Sequence, residues 1–289
     1  MPSDHAIHEV VIRPNRAWLQ LNLRELWEYR DLVLLLVRRD FLSKYAQTLL
    51  GPIWFIVQPL ITSLLFTVVF GRIAKVNANE VPHLIFYLCG FLPWNYFNNT
   101  FNSTASTFLG NFGIFSKVYF PRLAVPISVS LSNLISLAIQ AGSFAGFWIY
   151  FKFFTESGKI IEITPVALFL PLLILQTALL AVGGGLYLSV LTARYRDLQH
   201  LTPVVLQCLL YISPIIFPLS SVGNPNLRLL LTINPVTSIV ECFRWSLLGP
   251  RAASIHAGEI TYSVVFTVVF FLVGMIFFQR AERTVVDTV

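Results

Sequence analysis

RRDFLSKYAQTLLGPIWFIVQPLITSLLFTVVFG, residues 38–71, changes character in its middle. Arg38, Arg39, Asp40 and Lys44 come first, and from 45 to 71 no charged residue follows. A membrane-spanning helix needs about 20 apolar residues to cross the hydrocarbon core, so this uncharged run is long enough to span. The basic cluster before it marks the cytoplasmic side, because Lys and Arg accumulate in loops that stay inside. Pro52 and Pro59 lie within the run, and membrane helices tolerate proline where neighbouring groups satisfy the freed carbonyls.

The composition agrees. Of 289 residues, 56% are hydrophobic and 12% charged, with a mean hydropathy of +0.72; the charged share is about half that of an average soluble domain. The net charge of +6 reflects topology rather than a nucleic-acid footprint, since the basic residues sit between apolar runs. Cys89, Cys208 and Cys242 lie in apolar surroundings without metal-type spacing, which predicts inert packing residues and no metal site. The first 30 residues hold no apolar stretch of the signal-peptide kind, so the first span is expected to direct insertion.

Working outward, the stretch before Arg38 places Leu23, Leu26, Trp27 and Leu34 at helical intervals, with Arg24, Glu25, Glu28 and Asp31 between them. That is the pattern of a helix lying in the membrane interface. Further uncharged runs follow at 81–116, 123–151, 163–193, 198–227 and 260–279. The expected fold is therefore an all-α integral membrane protein with six transmembrane helices, near 49–71, 84–108, 123–151, 165–192, 201–218 and 260–279. Residues 1–44 form a cytoplasmic N-terminal segment, 45–279 the transmembrane domain and 280–289 a cytoplasmic tail. The segment 225–250, with NPVTSIVECFRWSLLG, is too short and broken to span and reads as a re-entrant or interfacial pair of helices. Gly183, Gly184 and Gly185 predict a close helix seam.

Six spans put both termini on one side. With the termini inside, 13 of the 20 Lys and Arg residues fall in cytoplasmic segments, so both termini are expected to be cytoplasmic. No phosphate loop is present: the nearest approach, Gly110 to Lys117, has Phe115 where the second glycine belongs. The chain should bind neither ATP nor Mg itself. Polar residues within the runs are mainly Asn, Gln, Ser and Thr, whereas ion-coupled carriers display Asp, Glu or His there.

Four segments carry a resemblance: LWEYRDLVLLLVRRDFLSKYAQTLLGPIWFIVQPL (26–60), GIFSKVYFPRLAVPIS (113–128), TARYRDLQHLTP (192–203) and NPVTSIVECFRWSLLG (234–249). Their order resembles that of the type-2 ABC exporter permeases, within them the subunits that export O-antigen, capsule and teichoic-acid polysaccharides. Ala46 stands where that family often has another basic residue. The resemblance implies a six-helix subunit of the bacterial inner membrane. It pairs with a second copy of itself and with two copies of a separate ATPase that binds ATP and Mg. The substrate implied is a lipid-linked polysaccharide; no nucleic acid is involved.

On that resemblance, Lys117, Tyr119, Phe120, Pro121 and Arg122 correspond to a coupling segment that docks on the ATPase, or else anchor the loop at the headgroups. Arg38, Arg39 and Lys44 would meet the charge of a lipid-linked pyrophosphate at the inner mouth. Arg194, Arg196 and Asp197 fix an inner gate or serve as a topological anchor. Trp54, Phe55, Tyr87, Phe91, Trp94, Phe97 and Phe101 offer flat rings over which sugars could slide, or bulk toward lipid. Two facing copies of the first two spans would place Trp54, Phe91, Trp94 and Phe97 along their seam. Asn95, Asn98, Asn99 and Asn102 either bond between helices or line a wet path. Glu241 and Arg244 are spaced to pair. A drug exporter of the same superfamily is the competing reading; a glycan-processing enzyme would need carboxylates facing a cleft.

Overall fold

The structure is a computed structural model that describes residues 23–44, 46, 48–115 and 120–285. It is helical throughout, with no strand among the described residues. Two helices open the chain, α1 (Leu23–Glu28) and α2 (Arg30–Ser43). The first long apolar element follows: a 3-10 turn at Gly51–Ile53, then α3 (Trp54–Phe66), which widens into a π-helical stretch at Thr67–Ile73. Pro52 sits at the start of that element, where its missing N–H costs nothing, and Pro59 is accommodated inside α3.

Next come α4 (His83–Ala105), the short α5 (Thr107–Gly110) and α6 (Phe112–Phe115), and the long α7 (Ala124–Phe154). After them lie α8 (Leu170–Arg194), α9 (Leu198–Ile212), α10 (Pro225–Ile233), α11 (Pro235–Leu248) and α12 (Ala257–Val285). The last short pair is written into the sequence by two Asn-Pro dipeptides. Asn224 Oδ1 accepts the Asn226 N–H at 3.0 Å and Asn234 Oδ1 the Val236 N–H at 3.1 Å, so each asparagine caps a helix whose first residue is proline. Gly249, at φ +96°, ends α11 in a conformation that only glycine adopts readily.

Four elements are long and apolar enough to cross a membrane: Gly51–Ile73, Ala124–Phe154, Pro165–Arg194 and Ala257–Ala281. The expected second span, α4, has the length but carries too many amides and hydroxyls to stand out as apolar. The expected fifth, α9, is cut to 15 residues where the chain bends at Ser213 and Pro214. Helix α9 is largely exposed, with only Thr202, Leu206 and Leu210 buried, whereas α4 is enclosed. Helix α4 is the hub, packed against α3, α7, α8, α9 and α11.

The glycine triplet makes the tightest seam. A Cβ at Gly183 would lie 2.6 Å from Phe271 Cα, and one at Gly274 only 2.0 Å from the Gly183 carbonyl oxygen. On the other face a Cβ at Gly185 would lie 2.5 Å from Thr104 Cβ. Helix α8 is thus pressed between α12 and α4 because its small residues let backbones approach.

Candidate functional site

At 100° per residue, Asn95, Asn98, Asn99 and Asn102 fall on one stripe of α4. Part of it joins helices and part does not. Asn95 donates to Gln140 Oε1 on α7 at 3.1 Å. Beside it, the Tyr96 hydroxyl meets Ser130 Oγ at 3.0 Å, and the buried Asn133 amide donates to Thr100 Oγ1 at 3.3 Å. Asn98 and Asn102 instead bond within α4, with Asn102 Nδ2 donating to the Asn98 side-chain oxygen at 3.2 Å and to its carbonyl at 3.1 Å. Asn99 has no side-chain hydrogen bond among the described residues. Asn98, Asn99 and Asn102 are all half-buried, so α4 presents a row of amides that no other helix of this subunit fully covers.

The aromatic residues divide in a way the sequence did not foretell. Tyr87, Phe91, Trp94 and Phe97 are only 1–4% exposed. Phe66 of α3 touches Tyr87 and Phe91 at centroid distances of 5.8 and 5.3 Å, and Trp94 and Phe97 stand 5.8 Å apart. These four rings are buried in the core of one subunit, which corrects the expectation that Phe91, Trp94 and Phe97 line a seam between two copies. The physical reason is that α4 is central, so its sides are covered by its own neighbours. Trp54, by contrast, is 45% exposed, and Phe55 and Phe101 are half-buried.

The three basic residues expected at the inner mouth are not equivalent. Arg39 is committed: Nε and Nη2 bind Asp40 Oδ1 at 2.9 and 2.7 Å, and Nη2 reaches Asn111 Oδ1 at 3.3 Å. Lys44 Nζ donates to Asn133 Oδ1 at 2.7 Å, extending the chain of bonds from the start of the first span through α7 to Thr100. Burial of that amine holds Lys44 below the ordinary lysine value, with Asp40 pulling the other way. Arg38 is exposed and has no side-chain partner among the described residues, unlike Arg39 and Lys44.

Lys117 and Tyr119 lie outside the described residues. Phe120, expected as an exposed docking knob, is buried with Val33 and Leu36 of α2 and Ala124 and Val125 of α7. It pins the N-terminal helix, a correction that follows from α2 lying across the start of α7. Pro121 is half-buried beside it, and the Arg122 guanidinium lies 5.6 Å from the Phe115 ring. Arg194, Arg196 and Asp197 are exposed and form no ion pair among the described residues, although Arg194 lies 5.4 Å from the Tyr195 ring.

Two features exceeded the sequence reading. A cavity of about 470 Å³ lies between α8, α9 and α12, with walls such as Leu180, Val205, Leu206, Phe266 and Phe270. Of its polar side chains, Thr202 bonds the Leu198 carbonyl and Asn234 bonds Ser213 and its own cap, and apart from these and Tyr187 the lining is mostly apolar. The second is Arg244, fully buried and bound to far more than the Glu241 expected from spacing; only the i, i+3 pair was visible in sequence, since its other partners lie on distant segments.

Comparison with known proteins follows this geometry. The family described as ABC-2 type transporter matches residues 31–248. An O-antigen export system permease protein, RfbA of Myxococcus xanthus, is 27% identical over 229 residues, covering 77% of this chain and 82% of the relative. RfbA of Klebsiella pneumoniae is 22% identical over 219 residues, covering 74% and 79%. The polysialic acid transport protein KpsM of Escherichia coli is 26% identical over 255 residues, covering 86% and 93%.

Proposed function

The chain belongs to the ABC-2 type transporter family, and from that premise we propose that it is the membrane subunit of an exporter moving a lipid-linked polysaccharide outward. The observation that carries the substrate class is the amide row of α4. Asn98, Asn99 and Asn102 have hydrogen-bonding capacity to spare at membrane depth, where polar groups rarely face lipid. Amides exchanging bonds with sugar hydroxyls suit a polymer that has to keep moving. The similarity to O-antigen and polysialic acid transport proteins supports the same class.

In this reading α4 and α9 join the four apolar elements as spans, giving six, with both termini in the cytoplasm of a bacterial cell and the membrane crossed being the inner one. The lower hydropathy of α4 is permitted by its neighbours, which shield it from lipid. Helices α1 and α2 lie at the inner interface, with Trp27, Leu34, Leu35 and Leu42 turned outward. Two copies assemble with two copies of a separate ATPase, which supplies nucleotide and Mg; this chain does no chemistry of its own. The segment 110–122 faces that ATPase, and Arg38 is the cation left to meet the carrier's phosphate.

Purified alone, the chain should hydrolyse no ATP, and co-expression with its ATPase should give a complex that does. Robust turnover by the isolated chain contradicts the reading. In a Cys208→Ser background, which removes an exposed thiol, a cysteine placed in 75–80 should react with an impermeant reagent from outside and one placed in 112–116 should not. The reverse pattern overturns the orientation.

A further inference from the structure

Arg244 sits on α11 without any exposure, its guanidinium shared among three segments. Nη1 donates to the Pro214 carbonyl and Nη2 to the Ile215 carbonyl at 2.7 Å, both just past the end of α9. Glu241, one turn earlier on α11, approaches Nη1 at 3.4 Å through Oε1 and accepts the Ser254 N–H at 3.1 Å through Oε2. The guanidinium carbon lies 3.7 Å from the centroid of the Phe86 ring on α4. Gly90, one turn further along α4, makes room for it: a Cβ there would come within 2.7 Å of Nη2. The end of α9, α11, the loop before α12 and the outer half of α4 therefore meet at the Arg244–Glu241 pair.

A buried ion pair is a poor way to gain stability, because well-packed apolar residues of similar size are often as stable or more so. What a guanidinium adds is direction. Two N–H groups held by two fixed carbonyls, with an aromatic face stacked on the plane, admit one register, whereas an apolar contact of the same area can slip by a turn. We propose that Arg244 is a positioning residue that locks the register of α11, and with it the outer helix pair, onto α4.

Helix α4 gives this lock a consequence. It runs about 35 Å at 1.5 Å per residue, and its inner end continues directly through α5 and α6 into the segment from Gly110. That end is held as firmly as the outer one: Thr192 Oγ1 donates to the Ala105 carbonyl at 2.8 Å, and Phe108 stacks on Phe278 with centroids 4.8 Å apart. A displacement imposed on α5 and α6 is thus passed to α4 and along it to the place where Arg244 grips it, and the outer mouth moves with the inner end. The inference rests on the proposed role of 110–122 as the surface facing the ATPase.

The test uses the complete transporter in its own host, with the chain replaced by variants. Glu241→Gln with Arg244→Met removes both charges while keeping an acceptor for Ser254 and a long side chain beside Phe86. Assembled complex, ATP hydrolysis in liposomes and periodate-labelled glycan on intact cells are measured together. Assembly and hydrolysis should stay within about twofold of the parent while glycan exported per ATP falls about fivefold or more. Arg244→Lys, which keeps the charge but loses the fork, should fall between. A double variant with the parental glycan-per-ATP ratio overturns the proposal and leaves Arg244 a fold-holding residue. Should the double variant fail to assemble, Gly90→Ala decides, since it displaces the guanidinium and keeps every charge: a lowered ratio supports the lock and a parental one overturns it. Failure of the parental chain to assemble with any ATPase counts instead against the proposed function.

Discussion

The first apolar element, Gly51–Ile73, and the hub helix α4 invert the usual relation between hydropathy and burial. Gly51–Ile73 carries the uncharged run that announces a membrane protein, yet Leu49, Ile53, Ile61, Leu64, Leu65 and Val68 around and within it are exposed. Helix α4 carries amides, hydroxyls and an internal proline, and it is the most enclosed of the long helices. In water the apolar face seeks the interior. In hydrocarbon that force is absent, and close packing and interhelical hydrogen bonds select what lies inside. The most apolar sequence therefore marks the periphery, and the polar helix marks the centre.

Substitutions should separate the two regions sharply. Arg244→Ala has the largest expected effect: it strands the Glu241 carboxylate in the interior at a cost of about 3–5 kcal/mol. Assembled protein should drop well below the parental level by size-exclusion chromatography; an unchanged level would mean that the outer junction tolerates a lone buried charge. Phe120→Ala comes next, at about 3 kcal/mol for a buried ring. Its signature is local, with α2 released and trypsin cutting at Arg38 or Arg39. Loss of ATPase binding with α2 still protected would return Phe120 to a docking role.

Asn95→Leu should cost about 1 kcal/mol, the scale of a hydrogen bond between membrane helices, read as a modest fall in the thermal midpoint of the detergent-solubilised protein. Ile61→Ala, on the exposed face of α3, should change stability by less than about 0.5 kcal/mol in the isolated subunit. A larger loss there would show that this face is covered, and the contrast between centre and periphery would have to be redrawn.

The same contrast explains what could be read in advance. The helical character, the short helix pair in 225–250 and the Gly183–Gly185 seam are local in sequence and were legible. The enclosure of α4 was not, because hydropathy reports the surroundings of a helix only when lipid is the surroundings. The engagement of Arg39 and Lys44 was hidden for a related reason: Arg39 is tied to Asn111 and Lys44 to Asn133, residues far along the chain that nothing in the RRDFLSK segment foretells. Phe120 beside Pro121 and Arg122 looked like an exposed anchor because an aromatic residue reads alike whether it faces a partner or its own chain. The partners of Arg244 were hidden in the same way, since two of them are backbone carbonyls.

The central claim is that the amide row of α4 carries a glycan. Among the described residues, the Asn98 and Asn102 side chains bond only to each other and to their own helix, so replacing both with leucine should leave the fold intact. The direct measurement is glycan on the cell surface per assembled transporter in the Asn98→Leu, Asn102→Leu variant, with ATP hydrolysis of the purified complex as the control. The account predicts parental assembly and hydrolysis with surface glycan reduced about tenfold or more, the scale of two lost polar contacts to the substrate. Surface glycan at the parental level, with the row made apolar, would contradict it.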